Sequence, residues 1–375
     1  MFEKETLSII GEGNNRYEDS ISTPIFQTST FGGNGEYSYS RLSNPTRAAL
    51  ERELAILEKG DYAFAFSSGL AAVNSVFSLL KSGDRVIISD DLYGGTYRMA
   101  ENIYKKFGVK FVFTDLGEIK NIENVFDKRV KMIFAESPTN PMMKIAPLKE
   151  IASFCKSKRV IFAVDNTFLT PYFQNPLSLG ADISIHSATK YLSGHHDTVA
   201  GAVVTKNKKI AEKIKMISMT LGNALSPFDS FLVLRGIRTL PMRMEKHQQN
   251  AFSACEYLLN CKAVERVIYP GLEDHKGFEQ NKMQASGFGG VVSFLVKDER
   301  VAKKLINGGR IIKFAESLGG FRSLITYPIT QTHSSIPEKI RKRIGINEKL
   351  LRLSVGLENG RDIANDLDFM FGGNA

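Results

Sequence analysis

The stretch Ser184-Ile-His-Ser-Ala-Thr-Lys190-Tyr-Leu-Ser-Gly194 carries a lysine among small hydroxyl residues, just after an apolar run typical of a strand. A second apolar run, Val160-Ile-Phe-Ala-Val164, leads directly into Asp165. An amine and a carboxylate placed in this way at two strand ends are what an enzyme needs to hold pyridoxal phosphate as a Schiff base. The pair therefore predicts an enzyme that uses this cofactor.

The chemistry of the cofactor explains why these residue types are needed. A lysine amine is nucleophilic near neutral pH when burial or a nearby cation lowers its pKa, and a strand end between helices supplies the burial. The cofactor ring accepts electrons while its pyridine nitrogen stays protonated, so a carboxylate such as Asp165 must face that nitrogen. Ser187 and Thr189 would donate hydroxyl groups to the phosphate. Lysines and aspartates are also common in loops after strands, so other segments must decide between the two interpretations.

The composition is that of an ordinary soluble globular protein. The chain has 375 residues, 43% hydrophobic and 24% charged, with no tryptophan, and its length favours two domains. No apolar stretch approaches the roughly 20 residues of a membrane helix, and Met1-Phe-Glu-Lys-Glu5 lacks the order of a signal peptide. We expect a cytoplasmic protein with no membrane partner, in which Cys155, Cys255 and Cys261 are reduced structural thiols.

The formal net charge of +9 raises the question of nucleic-acid binding. Basic residues are scattered among acidic ones, as in Arg310-Ile-Ile-Lys-Phe-Ala-Glu316, rather than grouped into arms. The charge fits anionic small substrates and a phosphate cofactor equally well, so we expect no nucleic-acid partner. We also expect no metal at His195-His196-Asp197, because adjacent side chains of an extended segment point in opposite directions and no third ligand is spaced nearby.

The order of patterns predicts an α/β chain with two domains and an N-terminal arm. Residues 1–44 are rich in Gly, Ser, Asn and Thr with little periodicity, so we expect an extended segment that lies across a partner subunit. Residues 45–235 alternate helical stretches with strand-like runs, which predicts a cofactor-binding domain with a largely parallel sheet covered on both faces. Residues 236–375 start with a long helix at about 242–259 and predict a smaller α/β domain.

The apolar runs also predict individual elements. Strands of the larger domain are expected at 85–89, 109–113, 131–135, 160–164, 183–185 and 201–204. Helices are expected from Pro45, where Leu50, Leu54 and Leu57 share one face, and at 71–81, 96–107 and 148–158. In the smaller domain, strands are expected at 291–296, 311–314 and 350–355, followed by a final helix.

Two further segments suit the phosphate and the ring of the cofactor. In Phe66-Ser-Ser-Gly-Leu-Ala-Ala72 a turn of small residues begins a helix, whose free N–H groups and dipole would bind a phosphate. A serine that only caps an ordinary helix would give the same sequence pattern. In Asp91-Leu-Tyr93-Gly-Gly-Thr96 the glycines would let a flat cofactor approach Tyr93 and stack on its ring. A surface tyrosine in a turn is the alternative.

Two polar residues are candidates for substrate binding. Glu136-Ser-Pro-Thr-Asn140-Pro ends a strand in a turn and would offer Asn140 to the cofactor hydroxyl or to a substrate carboxylate. Arg352 interrupts the apolar strand Leu350-Leu-Arg-Leu-Ser-Val355, where a guanidinium needs a partner. A bidentate substrate carboxylate suits it, and an internal salt bridge is the alternative.

Together these segments resemble the Cys/Met-metabolism family of pyridoxal-phosphate enzymes, which includes cystathionine γ-synthase, cystathionine β- and γ-lyases and methionine γ-lyase. The resemblance runs over nearly the whole chain. The matching segments, in order, are Tyr37-Ser-Tyr39-Ser-Arg41-Leu-Ser-Asn-Pro-Thr46, Ser68-Gly69-Leu70, Tyr93-Gly-Gly-Thr96, Glu136-Ser-Pro-Thr-Asn-Pro141, Val164-Asp-Asn-Thr167, Ser187-Ala-Thr-Lys190, Glu316-Ser-Leu-Gly-Gly320 and Arg352-Leu-Ser-Val-Gly-Leu-Glu358.

The resemblance implies a role for each matching residue. Lys190 would be the Schiff-base lysine and proton shuttle, Asp165 would face the pyridine nitrogen, and Tyr93 would stack on the ring and take part in catalysis. The implied phosphate contacts come from Gly69, Leu70, Ser187 and Thr189, with Tyr39 and Arg41 reaching in from the neighbouring subunit. The implied contacts to the substrate α-carboxylate come from Asn140, Ser317 and Arg352. The implied fold is that of type I aminotransferases, in a homotetramer built from two dimers.

The resemblance also bears on the reaction. Methionine γ-lyases have a cysteine at the second position after the stacking tyrosine, and Gly95 stands there in this chain, which disfavours that activity. Arg98 and Glu316 match residues that cystathionine enzymes place near the distal end of the substrate, in lyases and synthases alike. We therefore expect a carbon–sulfur lyase that cleaves cystathionine-like amino acids by β- or γ-elimination in transsulfuration. The alternatives are γ-replacement on an O-acylhomoserine by cysteine and, outside enzymes, a cofactor-carrying regulator or basic binding module.

Overall fold

The larger sheet carries the strand that ends at Asp165 and the strand that ends shortly before Lys190. The structure is a computed structural model and describes residues 2–10, 20–33 and 35–373. The strands of this sheet are β1 (Tyr62–Phe66), β2 (Arg85–Ser89), β3 (Lys110–Thr114), β4 (Val130–Glu136), β5 (Ile161–Asp165), β6 (Ile183–His186) and β7 (Gly201–Thr205). Their order is β1-β7-β6-β5-β4-β2-β3, and β7 alone runs antiparallel to its neighbours. The expected, largely parallel sheet is confirmed.

Helices cover both faces of this sheet. They are α1 (Lys4–Ile10), α2 (Pro45–Leu57), α3 (Gly69–Phe77), α4 (Gly94–Asn102), α5 (Ile119–Val125), α6 (Leu148–Lys158), α7 (Thr170–Phe173), α8 (Lys208–Leu221) and α9 (Pro227–Ile237), with 3₁₀ turns at Tyr104–Phe107 and Pro176–Leu179. Along β2, Val86 and Ile88 belong to one buried cluster and Ile87 to another. Since successive side chains of a strand point to opposite faces, both faces are buried, as expected for parallel strands.

A smaller, mostly antiparallel sheet forms the second part of the chain. Its strands are β8 (Val264–Ile268), β9 (Val291–Val296), β10 (Lys313–Phe314), β11 (Leu324–Thr326) and β12 (Leu350–Ser354), in the order β10-β11-β12-β9-β8. The accompanying helices are α10 (Leu240–Asn260), α11 (Phe278–Gln284), α12 (Glu299–Leu305), α13 (Glu338–Ile344) and α14 (Gly360–Phe371). These elements build a buried cluster of their own that includes Leu258, Phe294 and Leu353. The smaller α/β unit is therefore present, and the boundary at 235/236 stays a prediction, since Arg235 lies within α9.

Some elements differ from the sequence expectation. Strands β1, β8 and β11 were not expected, and only the last two residues of the run 311–314 form a strand. β8 has the sequence Val-Glu-Arg-Val-Ile, which contains two charged residues. It is an edge strand in which Glu265 and Arg266 are exposed, and charges at such an edge prevent pairing with other chains. The helix expected at 96–107 is divided into α4 and a 3₁₀ turn.

The N-terminal segment is partly helical, so the expectation of an extended arm is wrong for Lys4–Ile10. The ammonium group of Lys4 donates hydrogen bonds to the carbonyl oxygens of Pro171 and Tyr172, at 2.6 and 2.7 Å, at the C-terminal end of α7. The positive charge is favourable at that end because the carbonyls there lack helical partners. Residues 11–19 and 34 of the predicted arm lie outside the described residues.

Other features of the described chain concern its ends and thiols. Helix α2 begins as expected at Pro45, where Asn44 caps it by accepting hydrogen bonds from the N–H groups of Thr46 and Arg47. All three cysteines are buried free thiols. None of the helices in the described ranges is long and apolar enough to cross a membrane.

Candidate active site

A cavity of about 230 Å³ lies at the carboxyl ends of the parallel strands β4, β5 and β6. Ligands of open α/β sheets bind at this edge, because the loops that follow the strands converge there. The structure brings together, along the wall of this cavity, the predicted site residues Gly69, Leu70, Tyr93, Asn140, Asp165, Ser187, Thr189 and Lys190.

Lys190 is the cation of this cavity. Its Nζ donates a hydrogen bond of 2.9 Å to the hydroxyl of Ser317, from the second part of the chain. Burial, reinforced by the nearby Arg352 and opposed by Glu316, lowers the pKa of Lys190 to about 8. A larger fraction of the amine is therefore neutral near physiological pH than in an exposed lysine, which is the state needed to attack a carbonyl.

Asp165 is held from one side and open on the other. Its Oδ1 accepts hydrogen bonds from the N–H and the hydroxyl of Thr167, at 3.0 and 2.5 Å, and the same hydroxyl accepts the N–H of Ser187 at 2.8 Å. Burial raises the pKa of Asp165, and among the described residues no donor bonds Oδ2. A desolvated carboxylate in this state lacks a cationic N–H partner, which a protonated pyridine nitrogen would supply.

The N-terminus of α3 is built to receive an anion. Ser68 Oγ accepts the N–H of Ala71 at 3.0 Å, and the N–H groups of Gly69 and Leu70 belong to the first turn, which has no intrahelical acceptors. A Cβ at Gly69 would lie 2.8 Å from Ser187, and a Cβ at Gly201 would lie 2.1 Å from the Ser68 carbonyl oxygen. Glycines therefore permit the close backbone approach that forms this phosphate-sized cradle.

The hydroxyls next to this cradle differ in how they are engaged. Thr189 Oγ1 lies 3.1 Å from the carbonyl oxygen of Ala200 and accepts the Ala200 N–H at 2.9 Å, so it already ties its loop to β7. Ser187 uses its backbone N–H toward Thr167, and its side chain lines the cavity. Together with Lys190, Asp165 and the start of α3, these groups match a phosphate at one end and a pyridine ring at the other.

Tyr93 lies on the wall of the cavity with 38% of its surface exposed. Its backbone N–H donates to Glu136 Oε2 at 3.0 Å, which holds the start of α4 against the end of β4. A Cβ at Gly95 would lie 2.4 Å from Cε1 of Tyr93, so the ring packs directly on this glycine. The departure noted at Gly95 thus determines where the Tyr93 ring can lie.

Arg352 is a fully buried guanidinium that forms no salt bridge within the part of the chain that the structure describes. Its Nη1 donates to Asn140 Oδ1 at 2.8 Å, and its Nη2 donates to the Ser317 carbonyl at 2.9 Å and to Thr326 Oγ1 at 3.1 Å. No carboxylate pairs with it among the described residues, and its Nε has no hydrogen-bond partner there. Burial lowers the pKa of Arg352 to about 10. A buried cation without a counter-ion is costly, so an incoming carboxylate would be bound strongly.

Six predicted site residues are not part of the cavity wall of this chain: Ser317 and Arg352, whose contacts are given above, and Tyr39, Arg41, Arg98 and Glu316. Tyr39 and Arg41 are exposed, with the Arg41 guanidinium 5.5 Å from the Tyr39 ring centre and bonded to the Met219 carbonyl at 2.7 Å. Arg98 is exposed and donates to Ser335 Oγ at 3.0 Å rather than to Glu316. Glu316 is near enough to Lys190 and Arg352 to oppose the lowering of both pKa values that burial causes.

Sequence reasoning assigned no role to three residues that support the site. Thr167 orients Asp165, and Glu136 holds the Tyr93 backbone; both belong to segments that were recognised, but nothing in a linear pattern shows where a side chain points. Burial and then the Asp165 charge raise the pKa of Glu136 well above its ordinary value. His333 contacts the loops of Tyr93 and Asn140 from the second part of the chain. No motif or spacing in the sequence marks it.

The fold and the cavity define a pyridoxal-phosphate enzyme with the type I aminotransferase fold. The chain belongs to the Cys/Met metabolism PLP-dependent enzyme family, whose family model matches residues 5–371. A cystathionine beta-lyase of Lactococcus lactis subsp. cremoris (strain MG1363) is 47% identical over 353 residues, covering 93% of each protein. A cystathionine gamma-synthase/O-acetylhomoserine (thiol)-lyase of Bacillus subtilis (strain 168) is 42% identical, covering 96% of this chain and 94% of that protein.

Solved structures place the fold in the same family. A cystathionine gamma-lyase from Lactobacillus plantarum complexed with L-serine superposes with a TM-score of 0.97 at 40% sequence identity. The alignment covers 100% of this chain and 99% of that one. The predicted family, the type I fold and the pyridoxal-phosphate cofactor are thereby confirmed.

The glycine cradle yields a prediction about cofactor retention. In Gly201→Ala the new Cβ would collide with the Ser68 carbonyl oxygen, so the backbone at the start of α3 must move. The N–H groups of that first turn would then no longer point at the cofactor phosphate. We expect the dissociation constant of the cofactor to rise by roughly tenfold or more, measured by absorbance after equilibrium dialysis. Gly360→Ala at the start of α14 is the control, because its Cβ would meet a serine side chain at 3.0 Å, far from the cavity. Equal retention in both variants would contradict the assignment.

Proposed function

We propose that this enzyme is a carbon–sulfur lyase that cleaves cystathionine-like sulfur amino acids by β- or γ-elimination, within methionine and cysteine metabolism. The observation that carries the proposal is the position of the Lys190 amine beside a buried guanidinium, that of Arg352, which forms no salt bridge with any described residue. An amino acid whose carboxylate meets Arg352 would present its α-carbon to the amine of Lys190. The names of the similar proteins support the substrate class.

Different side chains of the cavity bind the substrate and transfer protons. Arg352 and Asn140 bind the α-carboxylate, and Ser317 places the amine of Lys190 next to that site. When bound, pyridoxal phosphate delocalises the electron pair left on the α-carbon after the proton is removed. Asp165 keeps a pyridine nitrogen protonated, which that delocalisation requires. Lys190 takes the proton from the α-carbon and is placed to return one to the departing sulfur.

The same groups serve elimination at Cβ and at Cγ. Loss of the sulfur from Cβ needs one proton removal, from the α-carbon, whereas loss from Cγ needs a second removal, from Cβ. Lys190 is the proton acceptor of suitable pKa in the cavity for both steps. Replacement at Cγ by an incoming thiol uses this second route as well, so the products must identify the reaction.

Product analysis tests the proposed reaction. Incubation of the holoenzyme with cystathionine should release pyruvate and homocysteine by β-elimination, or 2-oxobutyrate and cysteine by γ-elimination, identified by mass spectrometry. Lys190→Ala should lose at least about three orders of magnitude in rate, because it removes both the cofactor attachment and the proton acceptor. Formation of cystathionine from an O-acylhomoserine and cysteine, with no cleavage of cystathionine, would identify a γ-synthase instead.

We propose that the active sites are shared between subunits of a homotetramer in the cytoplasm. Tyr39 and Arg41 are exposed on a segment away from the cavity of their own chain. Val199 lines the cavity while 58% of its surface is exposed. An exposed apolar residue at the edge of an active site favours a second chain packed there, whose Arg41 would approach the cofactor phosphate.

Subunit mixing tests the shared site. Arg41→Ala and Lys190→Ala proteins, each of low activity, are combined under conditions that exchange subunits. Some hybrid sites then receive an intact Arg41 from one chain and an intact Lys190 from the other, so activity should reappear, up to about a quarter of the wild-type value for random pairing in a dimer. Exchange is verified with differently tagged chains. Inactive hybrids despite proven exchange would show that each site is built by one chain.

We further propose that Arg98 and Glu316 bind the second amino-acid head of cystathionine. That head carries one carboxylate and one ammonium group, and these two exposed side chains offer one cation and one anion. The alternative, in which they pair with each other and only shape the entrance, is not supported by their contacts, since Arg98 bonds Ser335. Glu316 is also next to Ser317, which binds Lys190.

Substrate length tests this proposal. Arg98→Ala should lower kcat/KM for cystathionine by roughly tenfold or more, the worth of a charge-assisted contact of about 1.5–3 kcal/mol. Homocysteine or cysteine, which lack the distal head, should be cleaved with nearly unchanged kcat/KM. Arg300→Ala is a matched control, because Arg300 is an exposed arginine that pairs with its neighbour Asp298. Equal losses on long and short substrates would favour a role in shaping the entrance.

A further inference from the structure

His333 is a buried imidazole that joins two loops of the cavity. It lies between β11 and α13, with none of its surface exposed. Its Nε2 is 3.1 Å from the carbonyl oxygen of Leu92 and 2.9 Å from that of Asn140. Those two carbonyls belong to the turn before Tyr93 and to the loop after β4, so one ring nitrogen contacts both loops.

The protonation state of the ring follows from its neighbours. Because two carbonyl oxygens face Nε2, that nitrogen must carry the hydrogen. The hydroxyl of Thr332 lies 2.7 Å from Nδ1 and is the donor there, which completes the hydrogen bonds of a neutral ring. Burial, reinforced by Arg352, lowers the pKa of His333 to about 4 and keeps this form at neutral pH.

The peptide between Leu92 and Tyr93 is held from two sides. Its carbonyl faces His333, and its N–H donates to Glu136 at 3.0 Å. The next residue, Gly94, lies against the backbone of Thr332, since a Cβ there would be 2.1 Å from the Thr332 carbonyl oxygen. The position of the Tyr93 ring is thus determined by the segment that carries His333 as well as by its own turn.

Asn140 is the second residue that this histidine fixes. Its carbonyl faces His333 Nε2, while its side-chain oxygen accepts from Arg352 Nη1 at 2.8 Å. The loop is therefore held by an imidazole and a guanidinium that both come from the second part of the chain. A shift of the imidazole would move Asn140 and the Tyr93 turn together.

We propose that His333 is a positioning residue, which fixes the ring-stacking Tyr93 and the carboxylate-binding Asn140 relative to each other. The proposal rests on the roles assigned to these two residues under the proposed function. The cofactor ring meets Tyr93 and the substrate carboxylate meets Asn140, so the bridge sets the geometry between ring and substrate. The effect depends on the Nε2–H donor, not on the bulk of the ring.

Three variants distinguish the effect of the His333 Nε2–H donor from the effect of the volume of the imidazole ring. His333→Gln keeps a side-chain N–H donor at a reach similar to that of Nε2, whereas His333→Leu keeps the volume and removes the donor. His247→Leu is the matched control, because His247 is equally buried and its Nδ1 lies 2.7 Å from the carbonyl oxygen of Val355, which belongs to neither the Tyr93 turn nor the Asn140 loop. The visible circular dichroism of the bound cofactor reports how the ring is held, and it requires no substrate.

We expect His333→Leu to lose about half or more of the visible dichroism per bound cofactor and roughly tenfold in kcat/KM for cystathionine. His333→Gln should keep most of both values. His247→Leu should lower the melting temperature and leave the dichroism per cofactor unchanged. Borohydride reduction should still fix the cofactor to the peptide that contains Lys190 in all three variants.

Two results would overturn the proposal. One is unchanged dichroism and kcat/KM in a folded His333→Leu protein, and the other is the same loss in His333→Gln or in His247→Leu. Should His333→Leu fail to fold, His333→Met takes its place, since methionine is a flexible side chain that can fill the space of the ring without an N–H donor and should reduce the dichroism in the same way. The dichroism is read without substrate, so its outcome is independent of whether the enzyme cleaves cystathionine.

Discussion

The buried guanidinium of Arg352 is the group on which the rest of the site depends. It is held by amide, carbonyl and hydroxyl oxygens, none of which carries a charge that would cancel its own. A buried cation acts at a distance in a site with little water, so Arg352 adds to the effect of burial in lowering the pKa values of both Lys190 and His333. One buried charge therefore selects an anionic substrate, activates the reacting amine and keeps the bridging imidazole neutral.

The opposite end of the cavity has the complementary imbalance. Asp165 and Glu136 occupy facing positions at the ends of neighbouring parallel strands, and both are desolvated. Two carboxylates in neighbouring positions favour a shared proton or a nearby cation. The protein thus places a pair of acidic groups where a pyridinium would lie and a buried cation where the substrate carboxylate would lie. This separation of charge fits a zwitterionic assembly of cofactor and amino acid.

The sequence was sufficient for features that follow from local order. Lys190, Asp165 and Gly69 lie at ends of apolar runs, and parallel strands bring such ends to one edge, so their meeting was foreseeable. Helix α1 could not be foreseen in this way. Its seven residues show little periodicity, and the helix is held by contacts with α7. His333 was beyond reach for a related reason. Its role arises from the backbone carbonyls of two residues distant in the chain. Every residue has such a carbonyl, so the amino-acid sequence does not show which ones a histidine will contact.

Gly95 determines the mechanics of the ring beside it. The Tyr93 ring packs on the hydrogen atoms of this glycine, with Leu70 also within van der Waals reach of any added carbon. A chain with a side chain at this position must therefore hold its tyrosine at another angle, and a single exchange in either direction would leave a collision or a void. Change at this position has to proceed through coordinated substitutions of the glycine and of the residues that touch it.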